Sequence, residues 1–449
     1  MPALIPSLSR PDETRAVTFV HTADWHLGKP FAGIAEPMKR ARVQQERIEA
    51  IRRIGEVVRA RRAGFVVVAG DLFDSPTPTH DTVSAALGAV GAIGVPVYAI
   101  AGNHDHTGPG SVWTTPFFGR ERDRLAPEFH LLRDRVPTRV ELTVGGEGPC
   151  RAVLLPCPLR RRREPEDPTA WIRTLDFEAL GEGPRIVIAH GSTATFSSGA
   201  ESGQDDDGGP SGGGNRISVD RLPIDEIDYV ALGDWHGLVE AGPKAWYSGT
   251  PEIDRFPKRD QRPGQIACVS VARGSQPIVS AVGTGRLRWI GRHVTLDSAP
   301  SESDAGDGSL GPARLDAVLM DATQQRDTAE PGFEGCLVSL TLAGAVSLAG
   351  RKELDRVIES WRARLLRLDL QDEVRVAATA EEIRDLAGRP GDPIISRVAA
   401  ELVRRLEQGG AATTGPSTDP DIVRHALTIL HSLATPDRRL PTDPGATPQ

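Results

Sequence analysis

Cysteine is sparse in this chain: 4 in 449 residues, and Cys150, Cys157, Cys268 and Cys336 form no C-x-x-C pair. That argues against a disulfide framework, and buried free thiols in a reducing cytoplasm are the expectation. No stretch approaches the ~20 apolar residues of a membrane span, so no membrane partner is expected. The opening "MPALIPSLSRPDETR" lacks a basic segment followed by an apolar run, so no secretory signal is read there. Net positive charge is missing as well. The chain carries −8, which by itself speaks against a nucleic-acid partner. The acidity is local, however: Glu201, Asp205, Asp206 and Asp207 contribute −4, and residues 300–330 contribute −5. The remainder sums to about +1 and is free to carry basic patches.

What is present suits a multidomain α/β protein. The length exceeds one ordinary domain, and 39% hydrophobic residues suffice for packed cores. Residues 1–15 read as a mobile tail. From 16 to 285, short Val/Ile-rich runs recur: "AVTFV", "FVVVA", "VPVYAI", "AVLLP", "RIVIAH", "DYVALG" and "QIACVSVA". Between the first two, Ile48, Ile51, Ile54 and Val58 recur at helical steps, with Gly64 as the expected stop. A second helix is expected in "HDTVSAALGAVGAIG", and this β-α-β-α-β opening indicates an α/β domain with buried strands. Residues 197–215 read as a flexible insertion, and 297–312 as an acidic linker. Residues 286–385 then read as a small α+β domain. A helical region follows at 386–435, and 436–449 as a disordered tail.

Tryptophan is scarce too, yet D-W-H occurs twice, in "HTADWHLG" and "ALGDWHGL". No other similarity joins the two neighbourhoods, so they are not a structural repeat. Their position is informative. Asp24 and His26 follow one expected strand, Asp71 another, and Asn103, His104 and Asp105 a third. His190 ends a fourth, and Asp234 and His236 follow a fifth. Ligands of open α/β sheets gather at the carboxyl ends of strands. A single Asp or His there is more often a turn or cap residue, but five such ends in order point to a metal site. Nitrogen and oxygen donors without thiolate suit manganese, iron or zinc. The donor count suits two ions sharing a carboxylate.

The ordered set D-x-H, G-D, G-N-H-D, H-G and a final H resembles the calcineurin-like metallophosphoesterases. "HTADWHLG", "GDLFD" and "GNHD" are similar to the SbcD-type DNA-repair exonucleases, which work with an SMC-like ATPase. The resemblance implies a β-sandwich flanked by helices (αββα), followed by a small α+β capping domain and C-terminal helices. It implies two divalent metal ions, manganese being expected. One would be held by Asp24, His26, Asp71 and His236, the other by Asp71, Asn103, His190 and residue 234. His104 would be the catalytic histidine, oriented by Asp105. The family usually has histidine at position 234, and aspartate there either ligates or leaves the second site weak. The implied reaction is metal-assisted hydrolysis of DNA phosphodiesters. The implied partners are DNA and the ATPase, with a homodimer as a further assembly.

Weaker signals remain. Arg160 to Arg163 lie in a loop and suit DNA phosphates, whereas the Arg-rich 39–62 helix offers either phosphate contacts or a solvated face. His106 has no assigned task, and Tyr247 reads as packing. Ile395, Val398, Leu402 and Leu406, then Val423, Leu427, Leu430 and Leu433, either dock on a partner coiled coil or pack on their own chain. Two other functions compete: a phosphoesterase for cyclic nucleotides or nucleotide esters, and a non-catalytic scaffold.

Overall fold

All seven apolar runs form strands in the structure, a computed structural model. It describes residues 16–143, 149–196, 214–256, 263–296, 311–324, 333–377, 379–388, 392–408 and 420–434. The tails expected at 1–15 and 436–449, most of the 197–215 insertion and most of the 297–312 linker lie outside the described residues. Internal contacts divide the chain between Arg288 and Trp289.

In the first unit the chain runs β1 (Val17–Thr22), α1 (Pro37–Arg61), β2 (Phe65–Ala69), α2 (His80–Gly91), β3 (Val97–Ile100), α3 (Pro116–Leu125) and β4 (Phe129–Leu131). It continues through β5 (Thr138–Thr143), β6 (Pro149–Cys157), β7 (Arg185–His190), β8 (Tyr229–Gly233), β9 (Val239–Gly242), β10 (Ala245–Tyr247), β11 (Gln265–Val271) and β12 (Ile278–Gly283). Two six-stranded sheets result, ordered β12-β11-β1-β2-β3-β4 and β5-β6-β7-β8-β10-β9. Within them β1 to β4 are parallel, as are β6, β7, β8 and β10. Strands buried on both faces need continuous apolar sequence, and β2 (FVVVA) is buried throughout.

The sheets pack face to face through Phe19, Phe65, Val67, Ile186, Ile188 and Tyr229. Phe19 stacks on Phe65 at 5.0 Å and meets the Tyr229 ring edge-on at 5.5 Å. Each such side chain contributes roughly 1.5–3 kcal/mol by leaving water. The outer face of the first sheet is covered by α1 to α3 through Ile48, Ile51, Ile54, Val83, Leu87 and Phe118. Helix α1 ends with Arg62 in the left-handed conformation (φ 51°) rather than at Gly64. The outer face of the second sheet is covered by loops and single 3-10 turns bearing Ile172, Leu180 and Leu222. The αββα sandwich therefore has α-helices on one side and short turns on the other, among the described residues.

The second unit contains β13 (Arg288–Leu296), α4 (Pro312–Gln324), β14 (Cys336–Val346), α5 (Leu348–Arg364), β15 (Arg367–Asp372) and β16 (Arg375–Val376). Helix α5 stops earlier than its apolar pattern suggests, because Leu366, Leu368 and Leu370 alternate and β15 pairs parallel with β14. Helices α6 (Ala380–Ala387), α7 (Pro393–Gln408) and α8 (Pro420–Ala434) follow. A Thr379/Glu382 capping box starts α6. Ile395, Leu402, Leu406, Leu427 and Leu430 gather with Leu348 and Leu386 of the same unit, and Val423 is buried. Val398 and Leu433 are exposed instead. No described helix is long and apolar enough to cross a membrane. Cys157, Cys268 and Cys336 are buried and form no disulfide, and burial pushes the Cys157 thiol up to about 12. Cys150 lies outside the described side chains.

Candidate metal centre

The loops after β1, β2, β3, β7 and β8 converge, and backbone bonds lace them together. Asp24 N–H donates to the Gly70 carbonyl (3.1 Å), and His26 N–H to that of Asp71 (3.0 Å). Asp234 N–H reaches both Asp24 carboxylate oxygens, at 3.1 and 3.2 Å. Asp24, His26, Asp71 and Asp234 all adopt positive φ, at 55°, 40°, 55° and 105°. Such conformations cost energy in non-glycine residues and persist where surrounding contacts enforce them. The glycines of the motifs make room. A Cβ on Gly102 would lie 2.1 Å from Asp71 Oδ1, and one on Gly70 2.4 Å from His190 Nδ1.

Among the described residues three groups of potential ligands form: Asp24, His26 and His236; Asp24, Asp71 and His190; and His26, Asp74 and His104. Asp71 reaches toward both sides, with Oδ2 3.3 Å from His190 Nε2 and 3.9 Å from His26 Nε2. Asn103 Oδ1 lies 2.8 Å from His190 Nε2. Asp234 faces inward, its Oδ1 4.0 Å from the same nitrogen. His190 Nδ1 donates to the Ala69 carbonyl (2.8 Å), which aims Nε2 at these oxygens. His236 Nδ1 meets the buried Asp254 carboxylate at 3.2 Å, and Lys29 holds the other Asp254 oxygen at 2.9 Å.

The electrostatics favour a cation. Burial raises the pKa of Asp24 well above the carboxylate range; His190 opposes this, and the charges of Asp71 and Asp234 add to it. At His190 burial opposes protonation, yet Asp71, Asp24 and Asp234 outweigh it and hold the ring well above its usual value. Positive charge, whether proton or metal, is what this cluster attracts. Burial pushes His26 down to about 3; His236 falls to about 4 through burial and the Arg255 charge, so both are neutral imidazoles at pH 7. Neutral histidine is the form that ligates. His26 Nδ1 faces the Asp74 carboxylate at 3.5 Å, while Nε2 has no hydrogen-bond partner and lies 3.9 Å from Asp71 Oδ2, the arrangement of a ring that ligates through Nε2. The residues present fit hard or borderline divalent ions.

Residues 17–238 match the calcineurin-like phosphoesterase family. This stretch is a calcineurin-like phosphoesterase domain. The chain is 34% identical over 104 residues to a Bacillus subtilis (strain 168) protein described as uncharacterized metallophosphoesterase YhaO. That match covers 22% of this chain and a quarter (25%) of the relative. The crystal structure of TT1561 of Thermus thermophilus matches at 12% identity over 60% of this chain and 99% of its own. Its TM-score of 0.35 is too low to bear on fold or function.

Within the phosphoesterase domain several side chains take roles that differ from expectation. Asp105 does not orient His104. Its carboxylate accepts from Gly102 N–H (2.7 Å), Leu72 N–H (2.8 Å) and Phe73 N–H (3.2 Å), which ties two ligand loops together. His104 Nδ1 donates instead to the Asp74 carbonyl at 3.0 Å, and His104 N–H donates to Asp71 Oδ1 at 2.9 Å. Burial opposes charge on His104, but Asp71 and Asp74 outweigh it and raise its pKa. The Arg-rich helix α1 turns two guanidinium groups inward. Arg47 donates to the carbonyls of Trp25 (2.8 Å), Asp24 (3.2 Å) and Glu252 (3.1 Å), and Arg53 to Glu252 Oε2 (2.8 Å). Tyr247 packs as expected and also donates its hydroxyl to the Gly191 carbonyl (2.8 Å), just after His190. His106 Nδ1 accepts from Gly108 N–H at 3.2 Å, a local turn.

The two D-W-H tryptophans confirm that no repeat exists. Trp25 is buried under α1 and α2, whereas Trp235 packs with Phe196 on the opposite side of the sandwich. Sequence reasoning missed Asp74, although it lies inside "GDLFD", and Asp254, which no local pattern marks.

Proposed function

We propose that this protein is a metal-dependent phosphodiesterase that hydrolyses DNA as a repair nuclease, in the cytoplasm, together with an SMC-like ATPase. The observation that carries the hydrolase reading is the buried, neutral His26 ring, whose Nδ1 faces Asp74 at 3.5 Å and whose Nε2 is left to ligate, set among Asp24, Asp71 and His236. One divalent ion would be held by Asp24, His26, Asp71 and His236, and a second by Asp71, Asn103, His190 and Asp234. Manganese is the expected metal. When bound, such ions supply Lewis acidity to the phosphate oxygens and a nucleophile at neutral pH.

The chain's own residues complete the chemistry. Because His104 Nδ1 donates to a carbonyl, its Nε2 is the atom left for the substrate. The raised pKa keeps a proton available there, so Nε2–H protonates the leaving alkoxide or stabilises its charge. Asp71 holds the backbone of His104 while facing both ligand groups, which couples the acid to the metal donors.

The partner reading is supported by the second unit. Ile422, Ile429 and Leu433 leave an exposed apolar line on α8, and Ile394 and Val398 are exposed on α7. Such i, i+7, i+11 spacing suits a helical partner.

A nuclease assay across manganese, magnesium, iron and zinc tests the proposal with wild type, His104→Ala and Asp234→His. Single- or double-stranded DNA should be cleaved in at least one metal, with or without the ATPase, and His104→Ala should lower kcat by about 10²–10⁴. Cleavage of bis-p-nitrophenyl phosphate or a nucleotide ester with all DNA left intact selects the small-substrate reading instead.

A further inference from the structure

The loop after β6 carries Arg160, Arg161, Arg162 and Arg163 in succession, all exposed. Its place in the fold is fixed from both sides of the catalytic loop. Leu159 N–H donates to the Ala101 carbonyl at 3.1 Å, two residues before Asn103. Thr107 N–H donates to the Leu159 carbonyl at 3.0 Å, three residues after His104.

A second set of bonds clasps the same loop to the His190 side. Asn215 Nδ2 donates to the Arg162 carbonyl (2.8 Å), and Glu164 N–H to Asn215 Oδ1 (2.7 Å). Ser192 N–H in turn donates to the Asn215 carbonyl (3.1 Å), two residues beyond His190. Glu164, next in sequence to the run, is engaged by Arg135 (2.6 Å) and by Arg160 N–H (2.6 Å). These anchors use backbone atoms, Asn215 and Glu164. None of them requires an arginine side chain of the run.

A run of exposed cations, held against the flanks of Asn103, His104 and His190, has a chemical consequence. The scissile phosphate faces the metal donors and His104, and one phosphate cannot engage four further guanidinium groups. A cyclic nucleotide or a simple nucleotide ester has a single phosphodiester and would leave the run unused. A strand carries a negative charge at every nucleotide, and a basic track beside the site follows it.

We propose that the Arg160–Arg163 loop is a binding subsite that holds consecutive phosphates of a polynucleotide strand beside the metal centre. This rests on the DNA-hydrolase reading above and assigns the residues that would hold the strand.

The test compares Arg160→Ala/Arg161→Ala/Arg162→Ala with the corresponding triple lysine variant. Binding of a fluorescent single-stranded oligonucleotide is measured by anisotropy in a His104→Ala background, over a range of salt. Cleavage of the same oligonucleotide and of bis-p-nitrophenyl phosphate is measured with His104 intact. The alanine triple should weaken binding about tenfold or more at low salt. Its salt slope should be shallower by about 2, at roughly 0.7 per single-strand phosphate contact. The ratio of kcat/KM on the oligonucleotide to that on the small ester should fall about as far. The lysine triple, which keeps the charge, should retain most of the affinity and slope.

Equal affinity and slope in the alanine triple and its parent overturn the subsite. So does an equal loss on both substrates that lysine does not rescue, since the loop would then only brace the catalytic loop. Arginine-dependent binding of a strand that the wild type never cleaves rejects the nuclease reading and leaves the subsite standing. Cleavage with arginine-independent binding rejects the subsite alone.

Discussion

At the scale of single residues, the centre is governed by what lies behind each ligand. His236 presents Nδ1 to Asp254, and Asp254 is in turn gripped by Lys29 at 2.9 Å and Arg255 at 3.3 Å. Burial alone would raise the Asp254 carboxyl, but His236, Arg255 and Lys29 hold it well below its ordinary range. A carboxylate fixed in this way sets the tautomer and direction of the imidazole it touches. Asp254→Asn should therefore weaken manganese binding about 10- to 100-fold, measured by calorimetric titration. Unchanged affinity would show that His236 is oriented without it. This residue also marks where the sequence stops being informative. Asp24, His26, Asp71, His190 and His236 each follow an apolar strand and could be read in order. Asp254 and Arg47 act across 18 and more residues, through contacts that no local pattern announces.

Among the elements, the strands inside the two sheets were legible because burial on both faces demands unbroken apolar runs. The four edge strands β4, β5, β9 and β12 escaped, since a strand covered on fewer sides needs no unbroken apolar run. The loops between elements depend on glycine for a steric reason. Gly102 places its backbone against Asp71, so a Cβ there would meet Asp71 Oδ1 at 2.1 Å and Asp71 N at 2.6 Å. Gly102→Ala should lower the melting temperature, at a cost of about 1–3 kcal/mol for overpacking, and reduce metal uptake along with it. Scanning calorimetry with metal analysis checks both, and an unaltered variant would mean that the two loops have slack. Helix α1 shows the opposite limit of sequence reading. Its arginines suggested a basic surface, yet Arg47 and Arg53 are internal struts for the Asp24 and Glu252 loops.

For the molecule as a whole, the sandwich carries a pH-dependent term in its centre. His21 is fully buried between the sheets, with Nδ1 3.0 Å from the Tyr229 hydroxyl, and burial pushes its pKa down from 6.5 to about 3. The unfolded chain binds this proton below about pH 6.5 and the folded chain only below about 3, so stability is complete above 6.5 and is lost as pH falls through that window. One such group adds a slope of up to about 1.4 kcal/mol per pH unit. His21→Gln should flatten the acid limb of a urea-denaturation series in metal-free protein, and an unchanged limb would contradict burial of a neutral His21. His26 and His236 titrate in the same direction, so part of the limb remains in the variant.

The central claim is that the converging loops form a metal centre that hydrolyses phosphodiesters, with Asp71 serving both halves. Its most direct test is metal content measured alongside hydrolysis of bis-p-nitrophenyl phosphate, for wild type and Asp71→Asn. The wild type should bind two manganese ions per chain and hydrolyse the ester only in their presence. Asp71→Asn should lose both bound metal and activity. Hydrolysis that survives metal chelation, or an Asp71→Asn protein that keeps its metal and its rate, would contradict the account.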